Sequence, residues 1–336
     1  MKTISKFLFL FTLILSFNSC SEDDIVETLE IKSGSIVDVA SSNNQLSTLV
    51  AAVTRADLGS VLTSTGPFTV LAPTNQAFTD FLADNNFESL NDVPVALLRE
   101  VLLNHVIDGR LESTDLTTSY ANTNATSDAS NTPMSIYINT SNGVKFNGIS
   151  TVTSANVSAN NGIVHIVDKV IGLPTVVTFA LADPNFSTLV AALTREDLDT
   201  DFVEILNRPA SNATAPYTVF GPTNTAFTNF LTELELDELS DIPKETLDTT
   251  LRTHVLTATN SLDSALSDGL ELTAFSNQKL TANVTGGATL TDQADRISNI
   301  TATNVQANNG VIHTIDKVLS VSNEIVLVEV KEQVSK

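Results

Sequence analysis

Apolar residues recur along the chain with two different periods. Leu46, Leu49, Val50 and Val53 follow the spacing of one helix face, so an amphipathic helix is predicted to begin at residues 48–55. The same spacing returns further along the chain, at residues 77–82, 98–105 and 247–254. Shorter runs rich in β-branched residues lie between and after these segments, and they predict strands.

Particular residues predict where the helices begin. Asn75 stands just before the apolar positions of the second helix and is its predicted N-cap. Pro94 and Pro243 are predicted to lie in the first turn of the next helix in each half of the chain. Proline is suited to that turn because its missing N–H would have no partner there in any case.

Most of the predicted strands follow the helices. They cover residues 67–71, 134–138, 144–147, 151–157 and 164–170. Asn161-Gly162 and Asn309-Gly310 are predicted to form hairpin turns whose two central residues both have positive φ. Helices that come first, with an antiparallel sheet after them, are typical of the α+β fold class.

The same order of elements occurs twice because the chain repeats itself. Thr48–Leu58 recurs as Thr188–Leu198 with nine of eleven positions identical, and two further segments recur in the same order. These are Ala72–Leu82, which recurs as Gly221–Leu231, and Asn156–Val170, which recurs as Asn304–Val318. We therefore predict two tandem domains, at residues 33–172 and 173–321, followed by a C-terminal tail at 322–336.

The N-terminus has the pattern of an export signal. Lys2 and Lys6 precede an apolar run from Phe7 to Phe17, which is shorter than the roughly 20 residues that a spanning helix needs. The run ends just before Cys20, the single cysteine of the chain. This arrangement resembles a bacterial lipoprotein signal, which implies a signal peptide at 1–19 and lipidation of Cys20. An ordinary signal peptide with a coincidental cysteine is the alternative.

An acidic segment follows the cysteine directly. The run Ser21–Asp24 resembles the signal that exports lipoproteins of the Bacteroidetes to the outer face of the outer membrane. Residues 20–32 are therefore interpreted as a lipidated acidic tether, and the protein is expected to be anchored in the outer membrane and exposed at the cell surface. A plain solvated tether, with the domains facing the periplasm, is the alternative.

Composition excludes several classes of function. The net charge of −22, from 17 basic and 39 acidic residues, argues against a nucleic-acid partner because few cations are available to neutralise phosphates. One cysteine and no tryptophan exclude a disulfide framework or a four-cysteine zinc site, and four histidines are too few for an extensive metal centre. No metal and no cofactor are expected.

The repeated segments resemble the two signature boxes of fasciclin (FAS1) domains. The resemblance rests on Thr-Leu-Val-Ala-Ala, on Pro-Thr-Asn-x-Ala-Phe and on Asn-Asn-Gly-x-x-His-x-x-Asp-Lys-Val, each present in both copies. It implies a wedge-shaped β-sandwich flanked by helices. It also implies an extracellular role in adhesion or matrix interaction.

Candidate site residues are few. The resemblance implies a tyrosine–histidine pair where this chain has Asn104-His105 and Thr253-His254, so the tyrosine is absent from both copies. These four residues are candidates for either an interaction site or a structural role, and the apolar helix face around each histidine favours structure. On the last strand of each copy, a structural role is also expected for His165, Asp168, His313 and Asp316.

The sequence predicts no catalytic residue. Asp168 lies three positions after His165 on one strand, and Asp316 has the same spacing from its histidine, so the two side chains face opposite sides and cannot form a relay. Neither a Gly-x-Ser-x-Gly nucleophile motif nor a glycine-rich phosphate loop is present. We therefore expect a protein that is not an enzyme.

Three functions remain open from the sequence. The leading hypothesis is an adhesion lipoprotein whose two domains contact a matrix protein, a cell-surface protein or a neutral glycan. An accessory glycan-binding lipoprotein for polysaccharide capture is the second, although tyrosine occurs only at residues 120, 137 and 217, which leaves few aromatic platforms for sugars. A scaffold for an envelope complex is the third.

Overall fold

A computed structural model describes residues 34–320. The predicted signal peptide (1–19), the tether (20–32) with Cys20, and the tail (322–336) lie outside the described residues. Domain 1 comprises residues 34–172 here and domain 2 comprises residues 173–320. Within the described part, no single helix is long and apolar enough to cross a membrane. One bent pair of helices, Val176–Ala182 with Pro184–Leu193, would be long and apolar enough, judged by length and composition alone.

Domain 1 contains five α-helices and seven strands. The helices are α1 (Ile36–Ser41), α2 (Ser47–Arg55), α3 (Gly59–Leu62), α4 (Asn75–Asp84) and α5 (Val95–Leu103). The strands are β1 (Phe68–Pro73), β2 (Val106–Asp108), β3 (Ser119–Thr126), β4 (Pro133–Asn139), β5 (Lys145–Phe146), β6 (Ser150–Ala159) and β7 (Gly162–Val167). Short 3-10 helices lie at Asn44–Leu46 and Leu90–Asp92.

Domain 2 repeats this arrangement. Its helices are α6 (Val176–Ala182), α7 (Ser187–Leu193), α8 (Phe202–Leu206), α9 (Asn224–Glu233) and α10 (Lys244–Thr253). Its strands are β8 (Tyr217–Pro222), β9 (Val255–Leu256), β10 (Leu270–Thr273), β11 (Lys279–Asn283), β12 (Thr289–Thr291), β13 (Ile297–Ala307) and β14 (Gly310–Ile315). Its 3-10 helices are Pro184–Phe186, Leu239–Asp241 and Asp263–Ala265.

Each domain is built on one seven-stranded sheet that mixes two pairing directions. The strand order is β2-β1-β7-β6-β5-β4-β3 in domain 1 and β10-β11-β12-β13-β14-β8-β9 in domain 2. The last strand pairs parallel to the first, β7 with β1 and β14 with β8, and the other strand pairs are antiparallel. The prediction of an α+β fold is confirmed. The prediction of an antiparallel sheet was wrong for the pairing of β7 with β1 and of β14 with β8, which is parallel. The last strand returns beside the first only after the chain has formed all the others.

Alternate residues of the central strands enter two separate apolar cores. In β1, Val70 packs with the helices of domain 1, whereas its neighbour Leu71 packs with Ile136 and Phe146 on the other side of the sheet. This division follows from the two-residue period of a strand. Each sheet therefore has helices on one side and its own folded-over strands on the other, as in a wedge-shaped sandwich.

The N-cap of α4 lies one residue earlier than predicted. Thr74, not Asn75, is the N-cap of α4, and its hydroxyl accepts a hydrogen bond from the Ala77 amide. The Asn75 side chain instead accepts from the Thr48 amide at 2.9 Å, which ties α4 to α2. The prolines of α5 and α10 also lie outside the predicted first turn, because Pro94 and Pro243 immediately precede the first residue of their helices.

The Asn-Gly pairs also differ from prediction. Neither Asn161 nor Gly162 has a positive φ, and the same holds for Asn309-Gly310. Glycine is required because a Cβ at Gly162 would lie 2.1 Å from the Phe68 carbonyl oxygen. The Asn161 side chain is buried, where it accepts from the Ile36 amide and donates to the Leu62 carbonyl. Asn309 makes the equivalent bonds with α6 and α8. These asparagines therefore fasten α1 and α3 in domain 1, and α6 and α8 in domain 2, to the end of the sheet.

The two domains share a buried interface. Tyr137 on β4 belongs to the same apolar cluster as Phe179 and Ala182 on α6. The Tyr120 ring meets the Phe179 ring edge-on, at 5.6 Å between centroids, and its hydroxyl donates to the Asp183 carboxylate at 3.0 Å. Burial, and then the Asp183 carboxylate, raises the pKa of Tyr137 to about 12 and the pKa of Tyr120 further, so both phenols stay protonated at neutral pH.

Polar contacts extend this interface along the edge of β13. The Ser127 hydroxyl donates to the Ala307 carbonyl at 2.7 Å, and the Gln306 amide donates to the Ser135 hydroxyl at 3.0 Å. Asp128 and Asn308 exchange two hydrogen bonds of 3.0 Å. Ser127, Ser135 and Gln306, which are buried, thus find hydrogen-bond partners across the interface, and the contact fixes one domain against the other.

Candidate functional site

His105 and His254 follow α5 and α10, and each bridges two parts of its own domain. The Leu98 and Val101 side of α5 faces the core, which carries the following histidine inward. The His105 Nδ1–H donates to the Val101 carbonyl at 2.7 Å, and its Nε2 accepts from the Ile171 amide at 2.9 Å. His254 makes the same pair of bonds, to the Thr250 carbonyl at 2.8 Å and from the Leu319 amide at 2.9 Å.

This geometry requires a neutral imidazole. One ring nitrogen must accept from a backbone amide, so it cannot carry a proton. Burial lowers the pKa of both histidines from 6.5 to about 4. Each ring joins the end of a helix to the segment that follows the last strand.

The residues before these histidines are buried as well. Asn104 is 0% exposed, and its amide donates to the Gly172 carbonyl at 3.0 Å. Thr253 is also 0% exposed, and its hydroxyl contacts Ser276 at 2.9 Å. Since both histidines are only 2% exposed, none of these four candidates can touch a partner on the folded surface.

The histidines of the last strands hold loops in place. His165 Nε2 hydrogen-bonds the Leu111 carbonyl at 2.9 Å, and His313 Nε2 hydrogen-bonds the Ser261 carbonyl at 2.8 Å. Burial lowers the pKa of each below its usual value. Asp168 and Asp316 do not contact these histidines; they accept from the Thr151 and Asn299 amides at the far end of the sheet.

The predicted site residues are therefore not gathered into a single site. They form two equivalent sets, one per domain, whose polar atoms hydrogen-bond mostly to backbone groups of the same domain. The Nδ1 atom of His313 is the exception, since it is buried without a hydrogen-bond partner. Among the described residues, no group of three or more His, Cys, Asp or Glu side chains has the arrangement needed to hold a metal ion.

A cleft that sequence reasoning missed lies beside α4. It has a volume of about 690 Å³, within the range typical of ligand sites. Its lining includes Phe81, Asp84, Ile149 and Lys169 of domain 1 and Asn308 of domain 2. The Lys169 ammonium pairs with the Asp80 carboxylate at the cleft, whereas Asp84 has no ion pair with a described residue.

The corresponding position in domain 2 is covered by an arginine. The Arg296 guanidinium lies 5.7 Å from the centroid of the Phe230 ring and pairs with Glu233 at 2.8 Å and Asp292 at 3.1 Å. The signal for this difference is in the repeat itself, because β12 and β13 are joined by Asp292–Arg296, whereas β5 and β6 are joined by a shorter loop.

Comparison with known proteins identifies the domains. The family model described as "Fasciclin domain" matches residues 44–174 and 184–321. Protein sll1483 of Synechocystis is 38% identical over 137 residues, which cover 40% of this chain and 72% of that protein. The transforming growth factor-beta-induced protein ig-h3 of Sus scrofa is 29% identical over 256 residues, which cover 76% of this chain and 35% of the relative.

A search of solved structures also finds a similar chain. The FAS1 domain pair from the insect cell adhesion molecule Fasciclin I covers 85% of this chain and 99% of its own, with 22% identity and a TM-score of 0.48. Two separate matches of the family model, one on each sheet-and-helix unit described above, account for most of the chain. The chain therefore belongs to the fasciclin-domain family, as a protein with two tandem fasciclin domains.

Proposed function

We propose that this protein is a non-enzymatic adhesion lipoprotein, anchored through Cys20 to the outer membrane and exposed at the cell surface. Fasciclin domains are associated with cell adhesion and interaction with the extracellular matrix. The observation that carries the proposal is the pairing of two such domains across a buried interface. This interface holds the two domains together, so that they can present their surfaces to a partner as a unit. The lipid anchor rests on the N-terminal sequence pattern.

The distribution of polar side chains supports a binding role over a catalytic one. The four histidines are at most 2% exposed, and each ring hydrogen-bonds at least one backbone group of its own domain. General acid–base catalysis needs such a group within reach of a substrate. The capture of neutral glycans receives less support, because Tyr120 and Tyr137 are engaged at the interface and Tyr217 is 0% exposed. Sugars would find no tyrosine platform on this surface.

Two experiments test the proposal. Protease treatment of intact cells, with lysed cells as the control, should remove the protein if both domains face outward. Protection until lysis would overturn surface exposure and favour an envelope scaffold. A deletion strain should attach more weakly than its parent to protein-coated surfaces, and restoration by the intact gene should recover attachment. Equal attachment by the two strains across several coatings would contradict the adhesive role.

A further inference from the structure

In domain 2, Arg296 covers the ring of Phe230. The Arg296 guanidinium has three kinds of partner on the domain itself: the face of Phe230, the Glu233 carboxylate and the Val318 carbonyl. Asp292, which is buried, orients it from the other side. These contacts match guanidinium chemistry, because a planar fork of N–H groups binds oxygen acceptors in its plane while its face rests on an aromatic ring.

Domain 1 has the same three partners without the arginine. Phe81, Asp84 and Val170 are the repeat counterparts of Phe230, Glu233 and Val318, and all three line the 690 Å³ cleft. Phe230 is 2% exposed beneath its arginine, whereas Phe81 is only half-buried. At the end of the shorter loop, Ile149 stands at the cleft with 53% of its surface exposed.

The charge of the domain 1 cleft also suits a cationic side chain. Asp80 is neutralised by Lys169, and the remaining carboxylate is Asp84, which is exposed. The cleft therefore carries one unbalanced negative charge in a protein whose net charge is −22. An incoming cation would be attracted both by the whole molecule and by this one carboxylate.

We propose that the domain 1 cleft binds an arginine side chain exposed on a partner protein. The guanidinium lies over the Phe81 ring, pairs with Asp84 and donates to the Val170 carbonyl, as Arg296 does within domain 2. The apolar surface of Ile149 covers the aliphatic stem of the same side chain. This deepens the proposed adhesive function, on which it rests, by naming the chemistry of the protein that is bound.

The first test uses a small probe of that chemistry. Purified protein is titrated with N-acetyl-arginine amide and, separately, with N-acetyl-lysine amide, and amide chemical shifts are followed by NMR. We expect the arginine probe to shift residues around Phe81 and Val170 and to bind at least five-fold more tightly than the lysine probe. Equal binding of the two probes, or shifts elsewhere only, would overturn the proposal.

Three variants locate the probe. Asp84→Asn and Phe81→Leu should each weaken arginine binding at least five-fold, because they remove the ion pair and the ring face. Asp237→Asn is the matched control, since it removes one exposed carboxylate in domain 2 and should leave binding unchanged. Wild-type affinity in Asp84→Asn would contradict the assignment, as would an equal loss in the control.

A fourth variant tests whether the Phe230 position in domain 2 is equivalent to the cleft in domain 1. Arg296→Ala removes the resident guanidinium from domain 2, and the arginine probe should then also shift residues around Phe230. A folded Arg296→Ala protein without these new shifts would contradict the equivalence of the two positions; if that variant does not fold, the domain 1 variants decide. The titrations judge the cleft whatever the attachment assay gives, and the deletion strain judges the adhesive function independently of them.

Discussion

The outward faces of the two sheets share one backbone and carry different side chains. Register with the neighbouring strands places Tyr120 and Tyr137 of domain 1 where domain 2 has Glu271 and Thr281. The tyrosines pack against α6, whereas Glu271 is exposed on a face that no described residue of another domain covers. The fold thus accepts aromatic or polar side chains at these positions. They are aromatic on the sheet face that the other domain covers and polar on the face that it leaves uncovered.

The largest test of this comparison exchanges side chains between the faces. Tyr137→Thr puts the domain 2 residue into domain 1 and should lower the free energy of unfolding by about 4 kcal/mol, because a buried aromatic ring is lost. Thr281→Tyr, the reverse exchange, should change it by less than about 0.5 kcal/mol on an uncovered surface. Urea unfolding measures both values, and similar effects of the two exchanges would break the comparison.

Acid should affect the two domains alike, since the bridging histidines are the same in both. Their pKa is about 4 in the folded protein and 6.5 when unfolded, so the unfolded chain binds protons first as the pH falls. The stabilisation is complete above pH 6.5 and is lost between pH 6.5 and 4, by about 3 kcal/mol per domain.

Urea unfolding at several values between pH 7 and pH 4 measures this loss. His105→Gln serves as the control, because it should reduce the pH dependence of domain 1 and leave that of domain 2 in place. A free energy of unfolding that stays constant between pH 6.5 and 5 would contradict the assignment of buried neutral histidines.

The smallest effect isolates the hydrogen bond across the interface. Asp183 caps the 3-10 helix Pro184–Phe186 and also accepts from Tyr120, whereas its counterpart Asn43 only caps the 3-10 helix Asn44–Leu46. Replacement by alanine should cost about 1 kcal/mol for the lost cap at either position. Asp183→Ala should cost about 1.5 kcal/mol more, because the half-buried Tyr120 phenol loses its acceptor. Thermal unfolding of the two variants gives the difference, and equal losses would remove Asp183 from the interface energetics.

Local sequence patterns predicted the helices and strands well. They predicted less well which contacts the capping and turn residues make. The helical period at Leu46–Val53 is realised in α2, because that helix needs only its own apolar face to be placed. The N-cap assignment to Asn75 was wrong, since Thr74 and Asn75 are both good caps and the choice depends on the Thr48 amide of another helix. Gly162 was explained by φ, but its cause is the backbone of β1, which lies 94 residues earlier at Phe68.

The candidate sites show the same limit. The sequence singled out His105 and His254, and the apolar spacing around them correctly favoured burial, yet their partners, Ile171 and Leu319, could not be named from that spacing. The cleft at Phe81 was missed because phenylalanine on a helix face is expected to be core. Its significance emerges only when Arg296, in the longer loop of the second copy, is seen to cover the matching ring.

The contact between the domains is heterologous: the sheet face of the first copy meets the helix face of the second. A contact of this type, repeated from molecule to molecule, would produce an open-ended filament. Domain 2 offers Glu271 and Thr281 where a following copy would need aromatic residues, so growth by this contact stops after one step. The polar face of the second sheet therefore opposes self-assembly through this contact, because it cannot receive the helix face of another copy as the first sheet does.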